Sequence, residues 1–302
     1  MYPLTRALTN VERLARASKL QRFLAHPVRY TWAILFRQLV YPRTRRPAYQ
    51  KVETFFGLPM RVALPAATDI YLTGGKSHDS EIRLARFLIQ NLKPGDQFLD
   101  IGAHFGYFTL LAAKLVGTSG RVLAFEASSI NFSLLQENTA GIEPISCFQR
   151  ALSDQEGTLT FYQFPIQFSE YNSRDITQYQ HEPWFRKYAP EKITVPAVTI
   201  DFIVKQEELT PKIIKIDVEG GELQVIKGGA QTWSGVAPII VMEYLAPTRL
   251  NATHQQALLI LQQSGYETFA INTAGALIPC PEPEHYLKIN KLDSDNLVLR
   301  KS

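Results

Sequence analysis

The sequence predicts an α/β fold, an open and mostly parallel sheet with helices on both faces, preceded by a basic helical extension. Three observations predict it. Apolar runs at 98–101, 122–125, 212–218 and 238–244 each end on or beside a carboxylate, as buried parallel strands that feed a ligand crevice do. Stretches with helical spacing separate these runs, which is the βαβ pattern. At 302 residues and 45% apolar content, the chain is long enough to bury one such core and carry an extension.

The extension is residues 1–50. Leu4, Leu8, Val11 and Leu14 recur near helical spacing with arginines between them, Pro27 ends the first helix, and residues 30–40 form a second, aromatic-rich one. Ten Lys/Arg face one acid here, a net +9, whereas the whole chain is +4 and the remainder therefore −5. Three readings of this leader stand: a helical cap or oligomer contact, a peripheral membrane contact through residues 1–42, and a nucleic-acid surface. No recognised nucleic-acid module accompanies the charge, so nucleic acid is the least favoured. No run approaches a membrane span, and Cys147 and Cys280 form no metal or disulfide pattern. These features predict a cytoplasmic protein, soluble or peripheral at a membrane.

Residues 43–50 read as a polar linker, and 54–64 with 69–72, split by Pro65, as a small hairpin. Residues 78–91 form an amphipathic helix whose first turn carries Glu81, a candidate for the cofactor lid; helix-start charge is the plainer account of that acid. The turn Lys93-Pro94-Gly95-Asp96 then leads into the central strand.

Residues 98–126 organise the rest. A strand ends at Asp100-Ile101-Gly102, Gly106 allows a tight turn before a helix from 109 to 116, and a second strand ends at Glu126. An acid 20 residues after the last glycine suits a nucleoside, whose ribose hydroxyls it would accept. A dinucleotide turn needs glycines at 104 and 107, where this chain has His104 and Tyr107. What remains, D-x-G-x-x-x-G, resembles the first motif of class I S-adenosylmethionine (SAM) methyltransferases. SAM carries a sulfonium and no phosphate, so a strand-end Asp is electrostatically sensible for it.

A helix follows from 128 to 138, capped by Ser128 or Ser129, with Asn131 in its first turn near the expected adenine. The third strand, 145–152, ends at Asp154, which is either an adenine partner or part of a hairpin turn. Residues 165–192 form a long polar and aromatic insert, predicted to be a substrate-facing lid with His181, Trp184 and Tyr188 against the acceptor. The strand at 212–218 delivers Lys215, Asp217, Glu219 and Glu222 to the carboxyl edge of the sheet, and 238–244 delivers Glu243. A helix at 252–264 is followed by strands at 265–271 and 296–300, the last antiparallel.

Taken together, FLDIGAHFGYFTL, FEASSINFSLLQEN, ALSD, IIKIDVEGGELQVIKGG and IIVMEY resemble the FkbM-type SAM-dependent methyltransferases over residues 78–272. The resemblance implies a Rossmann-like, seven-stranded class I methyltransferase sheet in a domain at 51–302, SAM as cofactor, and O-methylation of a sugar, glycolipid or related metabolite. By motif position, Asp100, Gly102, His104 and Gly106 would form the SAM turn and Glu126 would hold the ribose. Asp217, Glu219 and Glu222 would sit beside the methyl group and acceptor. Asp217 or Glu219 is then the first choice for general base and His181 the second. A divalent metal held by Asp217, Glu219 and Glu243 is a further option, though no ligand geometry indicates one. The competing function is a methyltransferase-fold binding or assembly protein without catalysis.

Overall fold

The computed structural model describes residues 2–301. The leader comprises α1 (Tyr2–Arg16), α2 (Lys19–Ala25) and α3 (Pro27–Leu35), the last continuing through a π-helical turn at Phe36–Val40 into α4 (Tyr41–Thr44). The break after α1 is a capping box: the Ser18 hydroxyl accepts from the Gln21 N–H, and the Gln21 side chain accepts from the Ser18 N–H. Pro27 ends α2 and opens α3, where its missing N–H costs nothing. Leu8, Val11, Ala33, Phe36 and Tyr41 are buried in the core that also holds the sheet's inner residues, and Glu12 of α1 is ion-paired to Arg86 at 2.7 Å.

Strands β1 (Ala48–Glu53) and β2 (Pro59–Leu64) form the antiparallel hairpin. Its expected second half at 69–72 is instead α5 (Thr68–Thr73), and β1 begins inside the predicted linker, at Ala48, and ends at Glu53 before the expected hairpin. Four residues are too few to fix a period, and the adjacent Ile70 and Tyr71 are both buried, which an alternating strand would not allow. Next come α6 (Asp79–Asn91), β3 (Gln97–Ile101), α7 (Tyr107–Val116), β4 (Arg121–Phe125), α8 (Ser129–Thr139) and β5 (Ile145–Phe148).

The predicted third strand is divided. Its end is β6 (Ala151–Leu152), which leaves the main sheet and pairs with β8 (Glu191–Val198); β8 in turn pairs antiparallel with β7 (Gly157–Gln163). The insert is therefore the long tip of the β7–β8 hairpin, wound into short 3₁₀ turns. After it follow α9 (Ile200–Gln206), β9 (Ile213–Ile216), α10 (Glu222–Lys227), α11 (Ala230–Gly235), β10 (Ile239–Leu245), α12 (Ala252–Gln263), β11 (Tyr266–Ile271), β12 (Leu277–Pro279), α13 (Pro283–Asn290) and β13 (Ser294–Lys301).

The main sheet has the order β12-β11-β13-β10-β9-β3-β4-β5. The seven expected strands are present, and β12 extends the edge as a short eighth. Parallel pairing joins β10, β9, β3, β4 and β5, while β13 runs antiparallel to β10 and β11. Successive strand residues point to opposite faces: Phe98, Val122 and Ile213 join the core beneath α6 and α7, and Leu99, Leu123 and Ile214 join the other core. From β3 the chain goes to one side for β4 and to the other for β9. That reversal opens a crevice at the carboxyl ends of β3 and β9, where ligands of open α/β sheets bind. Among the described residues no helix is long and apolar enough to cross a membrane.

Candidate active site

A cavity of about 740 Å³ occupies the crevice, walled by the strand ends, by the loop before α6 and by the insert. Its floor is made by the turn after β3. Gly102 has φ +81°, and a β-carbon there would lie 1.8 Å from the Asp217 carbonyl oxygen, so glycine alone lets the ends of β3 and β9 close together. His104 takes a left-handed backbone at φ 52°, and its N–H donates to Glu126 Oε2 at 2.8 Å. The Ser128 N–H donates to Glu126 Oε1 at 2.9 Å. Both amides hold the carboxylate at the end of β4 while burial pushes its pKa up to about 7. Asn131, at 1% exposure, donates to the Ser169 carbonyl at 3.4 Å, and its Oδ1 has no partner among the described residues. Phe125, Ala127, Leu152 and Phe161 give this half an apolar wall.

Three of the candidates in this half lie off the cavity wall. Asp100 does not line the cavity. It is 1% exposed below the turn, accepting from Thr109 at 2.7 Å and lying 3.4 Å from Lys215 Nζ. Burial raises its pKa against the Lys215 charge, and its contacts brace the turn from below. Gly106 lies at the start of α7 outside the wall, its φ of +90° turning the chain into the helix. Asp154 is exposed and outside the wall, accepting the Ser153 hydroxyl at 3.0 Å; it sits in a bend between β6 and β7, which pair on either side of β8 and not with each other, so the bend is not a hairpin turn. Gly102, His104, Glu126, Asn131 and Glu81 do line the cavity. Glu81 pairs with Lys76 at 2.7 Å, and the charges of Glu81 and Asp69 raise the Lys76 pKa although burial opposes it.

The other half holds carboxylates. Asp217, Glu219 and Glu243 stand at the ends of β9 and β10, each with one oxygen within 4.8 Å of the others. Asp217 pairs with Lys215 at 3.2 Å. Burial pulls the Lys215 pKa down, but the charges of Asp217 and Asp100 overcome it and raise it. Burial, then the neighbouring Glu243 and Asp217, push the Glu219 carboxyl well above the usual range. Burial and the Asp217 charge push Glu243 up to about 8. Glu219 sits at φ 53°, and its Oε2 accepts the Tyr179 hydroxyl at 2.7 Å. Arg249, Ser294 and Asn296 complete this end.

Glu222, expected beside the acceptor, is 0% exposed and absent from the wall. It accepts the N–H groups of Val218 and Gly220 at 3.0 and 2.9 Å and so fastens the loop that carries Glu219. His181 is exposed and is not among the residues that line the cavity. Trp184 and Tyr188 are not on the wall either: Trp184 stacks on Phe168 at 4.3 Å, and Tyr188 lies 4.9 Å from the same ring and under the Arg45 guanidinium at 4.1 Å. The insert reaches the cavity through Phe168, Ser169, Glu170, Tyr171 and Arg174 instead. The sequence reading also missed Lys76, whose Gly74-Gly75-Lys76 loop before an acidic helix start was its one visible signal.

Residues 100–268 match the family model for the methyltransferase FkbM domain. The hexuronic acid methyltransferase AglP of Haloferax volcanii is 26% identical over 159 residues, covering 52% of this chain and 59% of AglP. The methyltransferase sdnD of Sordaria araneosa is 26% identical over 204 residues, covering 59% of this chain and 76% of that protein. Among solved structures, an FkbM methyltransferase from Methylobacillus flagellatus aligns over 78% of this chain and 52% of its own, at 16% identity and a TM-score of 0.40. A SAM-dependent O-methyltransferase from Thermotoga maritima covers 84% of this chain and 78% of its own, at 14% identity and a TM-score of 0.40. This chain spans less than two thirds of AglP's length, but the family model covers more than half of this chain, from the β3 carboxylate into β11, and the chain belongs to the FkbM methyltransferase family.

Proposed function

We propose that this protein is a SAM-dependent O-methyltransferase acting on a hydroxyl of a sugar, glycolipid or related small metabolite, with residues 51–302 as its methyltransferase domain. The observation that carries the reading is one continuous cavity with a nucleoside-holding half at Glu126 and Asn131 and a carboxylate cluster at Asp217, Glu219 and Glu243. The hexuronic acid named for AglP supports a sugar as acceptor.

The residues present fit SAM. Glu126 takes one backbone amide on each oxygen, lies beside the Asn131 side chain, and keeps acceptor capacity for a ribose hydroxyl. The orphaned, buried Asn131 Oδ1 needs a donor, which the exocyclic amine of adenine or a ribose hydroxyl supplies. The apolar wall at Leu152 and Phe161 suits the purine, and Lys76 suits the methionyl carboxylate. Bound there, SAM would supply an electrophilic methyl group.

The chain's own residues then have two tasks. Alignment of the acceptor falls to the carboxylates, Arg249 and the insert, and an in-line displacement draws most of its acceleration from such alignment. Removal of the hydroxyl proton falls to Glu219. Its raised pKa makes it a stronger base than an ordinary carboxylate, and Tyr179 fixes its orientation by occupying one oxygen. Asp217, paired with Lys215, keeps negative charge beside the site where positive charge is consumed. The test is transfer of labelled methyl from SAM to a panel of sugars and uronic acids. Glu219→Gln should cut turnover about 100-fold or more with SAM binding retained; undiminished turnover in that variant would remove Glu219 from the role of base.

A further inference from the structure

Between Glu12 and Glu53 the chain has no acidic residue and ten Lys/Arg. The same stretch leaves large apolar side chains bare. Leu20, Leu24, Val28, Trp32, Leu35 and Leu39 are all exposed, Leu24 by 67% and Val28 by 81%. From Val28 onward these residues recur at intervals of four, three and four, which places them in one stripe along α3 and the π-helical turn. Ala33, Phe36 and Tyr41 occupy the opposite side and are buried in the main core. The stripe therefore cannot turn inward to cover itself. Lys19, Arg43 and Arg46 stand exposed at its two ends.

Bare Leu, Val and Trp in a helix pair whose own segment carries cations and no acid match what an anionic bilayer offers: apolar depth below a negative headgroup layer. A protein partner of mixed charge would gain nothing from a border of one sign over forty residues. Arg37 adds a spatial link, because it lies on the same π-helical turn as Leu39 and lines the active-site cavity. We infer that α2, α3 and the π-helical turn seat the protein on the surface of an anionic membrane, with the cavity opening beside that surface. A lipid-anchored acceptor could then reach the carboxylates without leaving the bilayer. Seating is a binding property and holds whichever hydroxyl is methylated.

The experiment is co-sedimentation of the full chain with phosphatidylcholine vesicles, with and without phosphatidylglycerol. Binding should require phosphatidylglycerol and weaken as salt rises. The triple variant Val28→Glu, Leu35→Glu, Leu39→Glu should lose at least tenfold in apparent affinity while its SAM binding, read by calorimetry, is unchanged. Leu259→Glu, on the exposed side of α12, should bind vesicles as the wild type does. Lys19→Gln with Arg46→Gln removes charge without touching the stripe and should flatten the salt dependence. Absence of vesicle binding, equal binding to neutral vesicles, or full binding by the triple variant would each overturn the inference. A concentration-dependent dimer that the triple variant abolishes, in protein that ignores vesicles, would reassign the stripe to a second copy of the chain.

Discussion

The Cα of Gly102 and the carbonyl of Asp217 are so close that a β-carbon on Gly102 would sit 1.8 Å from that oxygen. The end of the first central strand is thereby wedged against the residue that brings the carboxylate cluster into the cavity. Cofactor floor and acceptor end are one joint, and a side chain at position 102 would force them apart.

Gly102→Ala should therefore cost roughly 3 kcal/mol or more, since it adds a backbone clash to the left-handed strain of about 1–2 kcal/mol. Gly141 is the matched control. It has φ +76° with nothing within 4 Å of a would-be β-carbon, so its Ala variant should show the strain alone. Chemical denaturation of both variants measures the difference; equal losses would mean that the joint yields freely.

Lys215 is 2% exposed between Asp100 at 3.4 Å and Asp217 at 3.2 Å. Removing a buried partner leaves uncompensated charge, so Lys215→Met should cost about 3–5 kcal/mol. Adding Asp100→Asn should recover part of that loss, because the buried carboxylate no longer lacks its cation. A double variant no more stable than Lys215→Met would show that Asp100 is not braced by this lysine.

The pH dependence of turnover should have an acidic limb lying well above the ordinary carboxyl range, because the base must lose a proton that burial and the Glu243 and Asp217 charges make it hold. Activity therefore rises with pH through that limb. Glu243→Gln removes a negative neighbour and should move the limb to lower pH. Tyr179→Phe removes a hydrogen bond that favours the ionised form and should move it to higher pH. Opposite displacements of the two variants are the signature. Displacement in the same direction would take Glu219 out of the titration.

The strands and long helices were legible because their information is local. Apolar runs with carboxylate ends mark β3, β4, β9 and β10, and Gly102 and Glu126 occupy the turn and strand end that the motif spacing assigned them. The insert was not legible in the same way. Trp184 and Tyr188 in a polar loop look like ligand-facing aromatics, yet with Phe164, Phe168 and Tyr171 they form a small core that holds the hairpin tip together. Of that cluster only Phe168 and Tyr171 also border the cavity, beside the less conspicuous Ser169, Glu170 and Arg174. Glu222 misled for a related reason. A carboxylate directly after a double glycine is equally suited to catalysis and to tying down the N–H groups of its own loop, and here it accepts the loop's Val218 and Gly220 N–H groups. Asp100 shows the same limit: the motif located it at the strand end, but only the packing of Lys215 and Thr109 shows that it serves the turn from below.

Calorimetric titration of the purified protein with SAM, beside the same titration of Glu126→Ala, tests whether this cavity holds the cofactor. The wild type should bind, and the variant should lose about 2–4 kcal/mol, roughly 30- to 1,000-fold, as charge-assisted hydrogen bonds to the ribose disappear. A wild-type protein that binds no SAM, or a variant that binds it equally well, would contradict the assignment of this cavity.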